Sequence, residues 1–458
     1  MPTGQVVIVG GGIAGLSAAY ELNKANVPHI LVEKRPRLGG VIETRSWEGC
    51  VLECGPDSFI SQKPEAMALI KELGMESDVI GSNDAERVTY ILRHGKLVRL
   101  PEGTTMFVPT NPAAMLASSI VSWPTKIKMG LELFRQPVNY SDRSVADFVT
   151  DHFGQETLDY LAEPLLSGVY GGDPKKLSMA SVMPRFVEME RKQGSLARAL
   201  MRSRAAAGPS TAPLFRTLKR GLGSLVEKLA SHASVIQGTA ENLQQHTTGK
   251  FRIRVNDGQK SDWIEASHVI LACPAWNASE LVGAVDGVLA RGLEQTPYSS
   301  SAIVTLVFNE REFDGMRAGT GFLIPKVERQ KLMACTFVGT KFPDRVPTGK
   351  LTLRCFFGGA TNEAVLDESD ESLIASARQE LGTILGLTAT PIYKSVSRWS
   401  KAMAQYTVGH AERLKEIQSR TAAIPGLHLA GNAYTGIGIP DCIRMGREAA
   451  RKIVERLS

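Results

Sequence analysis

At 458 residues the chain is too long for one ordinary core, which predicts two or three domains with room to enclose a large cofactor. Hydrophobic residues at 43% and charged residues at 22% exclude wholesale disorder and a membrane-spanning bundle. A net charge of +6, from scattered Lys and Arg, argues against a dedicated nucleic-acid surface and suits an anionic small molecule or a membrane surface.

The first strand candidate begins at Gln5, which leaves no room for a targeting peptide and predicts a cytoplasmic protein. Residues 5 to 33 read strand, glycine turn, helix, strand: Val6 to Val9, Ile13 to Ala25, then Ile30 to Val32. Cys50 to Pro56 looks extended, Pro64 to Leu73 has helical periodicity stopped by Gly74, and Tyr90 to Pro101 alternates like a hairpin around His94-Gly95. Signals turn helical from Asn111 to Leu200, with Ser144 to His152 an amphipathic segment. The most apolar stretch, Ala113 to Trp123, is too short to cross a bilayer and runs into Pro124, Lys126 and Lys128. Small residues and prolines from Arg204 to Pro213 predict a flexible loop, and Arg185 to Arg220 forms a basic surface. Strands return at Val235-Ile236, Phe251 to Val255 and Val269 to Leu271. A second sheet is expected from Ala302 to Phe308, Gly321 to Ile324, Met333 to Val338 and Leu351 to Phe357, followed by a helix over Asp370 to Leu385. A last strand, Leu427 to Ala430, precedes a helix from about Pro440 to Leu457. The six cysteines, Cys50, Cys54, Cys273, Cys335, Cys355 and Cys442, form no C-x-x-C pair and have no His at zinc-ligand spacing. Reduced thiols and no metal are therefore expected.

The turn Gly10-Gly11-Gly12-Ile13-Ala14-Gly15 lies between a strand and a helix, the context that makes G-x-G-x-x-G a dinucleotide cradle. Gly10 allows the tight turn, Gly12 lets a diphosphate reach the backbone, and Gly15 lets helix and strand pack closely. The free N–H groups at the helix start bind the phosphates. Glu33 ends the next strand, where a carboxylate accepts ribose hydroxyls. This much does not separate FAD from NAD. The C-terminal stretch Gly431-Asn432-Ala433-Tyr434-Thr435-Gly436-Ile437-Gly438-Ile439-Pro440-Asp441 reads as strand end, glycine loop and helix start. That helix N-terminus would face the flavin edge where negative charge builds on reduction. In isolation a plain C-terminal helix after a glycine loop is the favoured reading, and only its pairing with the N-terminal fingerprint reverses this.

Arg37-Leu38-Gly39-Gly40, followed by Thr44, resembles the extended fingerprint of amine oxidase and phytoene desaturase flavoproteins, whose backbone there passes close to FAD. The loop from Gly431 to Ile443 is similar to the C-terminal signature of oxygen-dependent porphyrinogen oxidases of haem synthesis. So is the run Leu165-Leu166-Ser167-Gly168-Val169-Tyr170-Gly171-Gly172-Asp173-Pro174. Phe342-Pro343-Asp344-Arg345 and Phe356-Phe357-Gly358-Gly359-Ala360 resemble that family's substrate-domain strands, and Trp399 to His410 resembles a segment near the flavin. The likeness covers essentially the whole chain. It implies a discontinuous α/β, Rossmann-type FAD domain (1–82, 214–290, 410–458), an α+β substrate domain with a mixed sheet (83–110, 291–409) and an inserted helical domain (111–213).

The resemblance implies FAD contacts at Gly10, Gly11, Gly12, Ile13, Ala14, Gly15, Glu33, Lys34, Gly39, Gly40 and Val41. It adds Gly55, Pro56, Asp57, Ser58, Ala240, Trp399, Gly431, Asn432, Ile437, Gly438 and Ile439. For the substrate it implies Arg87 against a carboxylate, with Gly168, Leu323 and Phe356 around a flat macrocycle. Arg87 could also be a solvated arginine beside Asp84 and Glu86, and Leu323 and Phe356 could be ordinary sheet core. At Thr336 the sequence departs from the plant-like pattern, where leucine completes the clamp.

Aromatising a porphyrinogen removes six hydrogens, so three hydride transfers to flavin N5 are expected, with dioxygen as acceptor and hydrogen peroxide as product. No protein side chain is assigned as catalytic acid or base. Coproporphyrinogen III is favoured over protoporphyrinogen IX. An amine oxidase, a carotenoid desaturase and a prenyl-protein binding chaperone of the same fold stand as alternatives. A homodimer, peripheral membrane contact and hand-off to a ferrochelatase stay open as partners, and nucleic acid is not expected.

Overall fold

The computed structural model describes residues 5–207, 212–246, 249–313, 315 and 317–457. Its first layer is a five-stranded parallel sheet in the order Val235–Gln237, His29–Glu33, Val6–Val9, His268–Leu271, Leu427–Leu429. Val6–Val9 is fully enclosed, with both edges paired and all four side chains buried, as expected of an unbroken apolar run in a parallel sheet. Its C-terminal end releases the chain into Gly10, at φ +108°, and then into the helix Ile13–Lys24.

Against that helix lies the C-terminal helix Ile439–Leu457. The two meet where a Cβ on Gly446 would fall inside the Ala14 carbonyl oxygen, so the backbones touch with no side chain between them. The first and last helices are thus held together at the same end of the sheet. Arg447 and Arg451 reinforce the crossing by pairing with Glu21 at 2.7 and 3.0 Å.

The second layer is a seven-stranded sheet in the order Tyr393–Ala404, Tyr298–Asn309, Lys350–Gly358, Ala334–Phe337, Gly321–Leu323, Thr89–Arg93, Lys96–Arg99. Successive side chains on a strand alternate between faces, and cross-strand partners share one. On the back face Leu306, Phe322, Cys335, Leu353 and Phe357 are buried under the helix Asp370–Leu385 through Leu373, Ala377 and Leu381. The front face therefore carries the other set. Leu323, Ala334, Phe356, Ile303 and Ser397 form one row across five strands, and Gly321, Thr336, Arg354 and Thr305 the row beside it.

All elements from Pro112–Ala117 to Leu196–Ala207 are helical. Pro164 has no N–H for the carbonyl one turn back, and the chain absorbs this in a π-helical turn at Leu158–Ala162 before Glu163–Tyr170 begins.

Three local expectations are corrected. The loop expected from Arg204 to Pro213 begins as helix up to Ala207, because an Arg and three Ala propagate a helix well; residues 208–211 lie outside the described residues. Phe342 to Arg345 is no strand: Pro343–Arg345 is a single tight turn with Arg345 buried. The strand Tyr393–Ala404 and the helix His410–Ala422 went unread, since both are rich in polar residues and few of their side chains are buried.

Replacing Gly446 by Ala is expected to destabilise the protein by roughly 1–3 kcal/mol through overpacking against the Ala14 carbonyl. Urea unfolding measures this, and an unchanged midpoint would contradict the direct helix crossing.

Candidate functional site

The site starts where the central strand ends. The helix Ile13–Lys24 has no side chain capping its N-terminus, so its first N–H groups remain available. A Cβ on Gly12 would meet nothing within 4 Å. An uncapped helix end with open space at its N-cap is what an anionic diphosphate requires. Glu33, nine-tenths buried, is oriented by two backbone donors: Gly11 N–H to Oε2 at 2.6 Å and Arg35 N–H to Oε1 at 2.8 Å. Each carboxylate oxygen keeps a free lone pair for a ribose hydroxyl. Lys34 is exposed beside it, its ammonium 5.5 Å from the Trp276 ring. Ala240 lies on the neighbouring strand, Thr239–Gln245, which enters by a Gly238 N–H bond to the Glu33 carbonyl at 2.8 Å.

From the phosphate end the cradle continues along Arg37 to Val41. Gly39 N–H bonds the Gly11 carbonyl at 2.8 Å and pairs with Gly12 in a parallel bridge, which sets the second glycine pair directly against the first turn. Arg37 donates to the Gly40 and Ile42 carbonyls at 2.8 and 3.1 Å and lies 5.6 Å from the ring of Trp399. Trp399 in turn donates its indole N–H to the Cys54 carbonyl at 2.6 Å. Val41 remains more than a third exposed. Gly55 packs between the Val41 carbonyl and Trp399, so Val41, Gly55 and Trp399 form one wall although 358 positions separate the ends.

The turn Gly55-Pro56-Asp57-Ser58 is anchored from the second layer. Arg354 binds the Gly55 carbonyl and Asp57, and Lys341 binds Asp57 at 2.9 Å. Burial alone would raise the Asp57 pKa, but Lys341 and Arg354 hold its carboxyl well below the usual carboxylate range. Beneath the turn, Arg345 and Glu53 pair at 2.9 Å, both buried, with further hydrogen bonds to Thr44, Thr217 and the backbone of Leu218 and Leu222. Asp57 and Arg345 stand out in the sequence, but their pairing with Lys341, Arg354 and Glu53 does not, because ion pairs between residues hundreds of positions apart leave no local pattern.

The C-terminal loop closes the cradle. Tyr406 stacks on His410 with ring centroids 4.0 Å apart, donates to the Asn432 carbonyl at 2.9 Å and accepts from Gly436 N–H at 2.8 Å. Asn432 donates to the Ala402 carbonyl at 2.8 Å. Gly431 and Ile437 to Ile439 are thereby fixed over the start of the last helix, where Asp441 accepts from Gly438 N–H and pairs with Lys63 at 2.6 Å.

The front face of the large sheet carries the row of residues expected to line a substrate slot. Leu323, Thr336 and Phe356 are half-buried there, in contrast to the fully buried back face. Phe356 also joins Cys54, Ile303 and Trp399 in one small cluster, which places the slot beside the cradle. Gly168 is exposed, and a Cβ on it would lie 3.5 Å from Leu323. Its helix is docked by Gln405, which donates to the Tyr170 carbonyl at 2.8 Å. Arg87 stands at the edge, at the entry to Thr89–Arg93. Its side chain is half exposed and only 3.8 Å from Asp84, whose carboxylate already takes Ser82 and the Leu214 N–H.

The chain matches the model for flavin containing amine oxidoreductases over residues 13–454. It belongs to that family. FAD is its cofactor, and it is an oxidoreductase. It is 33% identical to a coproporphyrinogen III oxidase of Bacillus subtilis, over 97% of each chain. It is 29% identical to one from Staphylococcus aureus, over 99% of this chain and 100% of that one. Among solved structures, a candidate protoporphyrinogen oxidase from Exiguobacterium sp. 255-15 superposes with a TM-score of 0.89, at 29% identity, covering 100% of both chains.

The residues present fit FAD along its length. Gly12 and the uncapped helix would hold the diphosphate, Glu33 the ribose, and the wall of Val41, Gly55 and Trp399 with the 431–439 loop would flank the planar ring. Burial pushes the thiols of Cys273 and Cys442 and the phenol of Tyr170 each up to about 12, so none is ionised at neutral pH. Among the described residues one cluster has metal-ligand spacing: Asp151, His152 and Glu190. Its two carboxylates already pair with Arg135 and Arg143, and both ring nitrogens of His152 are engaged by Glu132 and Glu190.

Gly12→Val places its Cβ in the open space proposed for the diphosphate, with no protein atom within 4 Å of that Cβ. The variant is expected to fold with wild-type circular dichroism but purify colourless, and a yellow variant of normal flavin content would contradict the placement.

Proposed function

We propose that the chain is a coproporphyrinogen III oxidase of haem synthesis. What carries this reading is the full-length similarity to relatives of that name, together with the half-buried Leu323, Thr336 and Phe356 on the sheet face that bears Trp399. When bound, FAD accepts two electrons at a time, so removing six hydrogens takes three passes, with dioxygen as acceptor and hydrogen peroxide as product.

The chain's own part is to hold, orient and shield. Leu323 and Phe356 offer apolar surface to the macrocycle, and Gly168, where a Cβ would lie 3.5 Å from Leu323, packs beside them. Arg87, loosely paired and half exposed, is free to meet a propionate at the rim. Thr336 puts a hydroxyl in the row beside them where leucine would close the slot, which suits a substrate with a more polar periphery. Tyr170, Cys273 and Cys442 stay protonated and so shape the cradle without exchanging protons.

We assign residues 1–82, 214–290 and 410–458 to the FAD-holding unit, 83–110 and 291–409 to the substrate unit, and 111–213 to the helical insertion. The parallel sheet, the seven-stranded sheet and the helices support this division. The site residues named from the sequence keep their proposed roles in this scheme. The product would pass to a ferrochelatase, and peripheral membrane contact fits a chain in which no described helix is long and apolar enough to cross a bilayer.

The test is a comparison of kcat/KM for coproporphyrinogen III and protoporphyrinogen IX, alongside a panel of amines. A preference for the four-carboxylate substrate is expected. Arg87→Ala should lower it about tenfold through KM, the effect of losing one charged hydrogen bond. A preference for protoporphyrinogen IX, or turnover of amines alone, would overturn the assignment.

A further inference from the structure

The strands Gly321–Leu323 and Ala334–Phe337, which carry Leu323 and Thr336, are joined by a loop that closes with Ile324 N–H on the Met333 carbonyl at 2.8 Å. The helical insertion reaches this loop through one carboxylate. Glu163 Oε2 accepts from Lys326 N–H at 2.9 Å, while Oε1 accepts from the Arg329 guanidinium at 2.9 Å and from Ser167 Oγ at 2.8 Å. Arg329 also donates to the Ile324 carbonyl at 2.9 Å, so it ties the loop to itself as well as to Glu163. Both side chains are more than nine-tenths buried, although 166 positions separate them. Just ahead of Glu163, Tyr160 donates to Glu328 of the same loop at 2.9 Å.

A buried ion pair stabilises little more than apolar residues of the same volume, because desolvating both charges offsets their attraction. What it does that apolar contact cannot is admit one arrangement: a helix slid along the loop would leave a buried carboxylate without its donors. The pair therefore fixes where the helix Glu163–Tyr170 sits against the loop. Leu323 ends the strand just before that loop, and Gly168 lies on that helix, where a Cβ would be 3.5 Å from Leu323. The ion pair thus sets the contact between two of the residues proposed to meet the substrate.

The other end of the loop is held from the opposite face of the sheet. Glu380, buried on the helix Asp370–Leu385, accepts from Lys331 N–H at 3.2 Å and from Leu332 N–H at 3.0 Å. One loop is thus gripped by two buried carboxylates, and Glu163 is the one that comes from the helix carrying Gly168.

We propose that Glu163 and Arg329 are positioning residues for the substrate, a buried latch that holds the helix Glu163–Tyr170 at a fixed distance from Leu323. The inference rests on the porphyrinogen reading and adds to it two residues that act through Gly168 and Leu323. Glu163→Gln keeps the shape but turns an amide N–H₂ toward one of the three donors, so a bond is lost and Arg329 loses its counter-charge.

The experiment is steady-state kinetics of the FAD-loaded protein with coproporphyrinogen III, separating KM from kcat. Glu163→Gln is expected to raise KM about tenfold with kcat within about twofold of wild type, since misplacing a binding surface weakens binding before it alters the flavin. Flavin content and absorption spectrum should not change. Arg329→Met should match it, and the double variant should be no worse than either, because both remove one interaction. Arg329→Lys keeps the charge but not the fork, so its KM should fall between wild type and Arg329→Met. Glu380→Gln is the control for losing a buried carboxylate: it should lower the thermal midpoint and leave KM at the wild-type value. Equal KM shifts in Glu163→Gln and Glu380→Gln, or a wild-type KM in the Glu163 and Arg329 variants, would overturn the latch and leave the porphyrinogen reading standing. Should Glu163→Gln not fold, a wild-type KM in Arg329→Lys overturns it equally. Wild type that oxidises no porphyrinogen would instead remove the reading itself, and the latch with it.

Discussion

The close crossing of the first and last helices, Gly446 against the Ala14 carbonyl, is the constraint on which the site depends. Ile13–Lys24 begins at the phosphate turn and Ile439–Leu457 begins at the glycine loop. With backbones in contact, the two N-termini cannot drift apart, and one ligand can be held by both ends of the chain. Glycine at 446 is required because any side chain there would separate the helices before the loop reached the cradle.

A second constraint comes from the large sheet. Its back face is dry because Leu373, Ala377 and Leu381 cover it, and strand alternation then commits the other set of side chains to the front. That front face does two jobs in adjacent rows. Arg354 reaches forward to hold Asp57 and the Gly55 carbonyl, while Phe356, two residues on, lines the slot. The anchored turn and the proposed substrate face are thus joined by one strand, Lys350–Gly358.

Much of the first layer was legible in the sequence. The βαβ unit announces itself by an apolar run, a glycine turn and helical periodicity within 30 residues, and the same holds for Asp370–Leu385 and for the hairpin after Thr89. The cradle was legible through glycines, whose missing side chains are informative where backbone meets ligand. The strand Tyr393–Ala404 was not, since at the sheet edge Lys, Ser and Arg interrupt its apolar residues and break any regular alternation. The Arg345–Glu53 and Arg354–Asp57 pairs were invisible because only the tertiary fold brings their partners together. Phe342 to Arg345 shows the opposite error: a matching motif was placed on a strand, whereas its arginine serves as a buried strut beneath the flavin-side turn.

The central claim is that a porphyrinogen reduces the FAD this chain holds. Anaerobic titration of the FAD-loaded protein with coproporphyrinogen III tests it most directly, read by the flavin band and the porphyrin band together. The account predicts that the flavin bleaches, and that three flavins are reduced for each porphyrin formed, as a six-electron oxidation requires. Flavin that stays fully oxidised in excess porphyrinogen would contradict it.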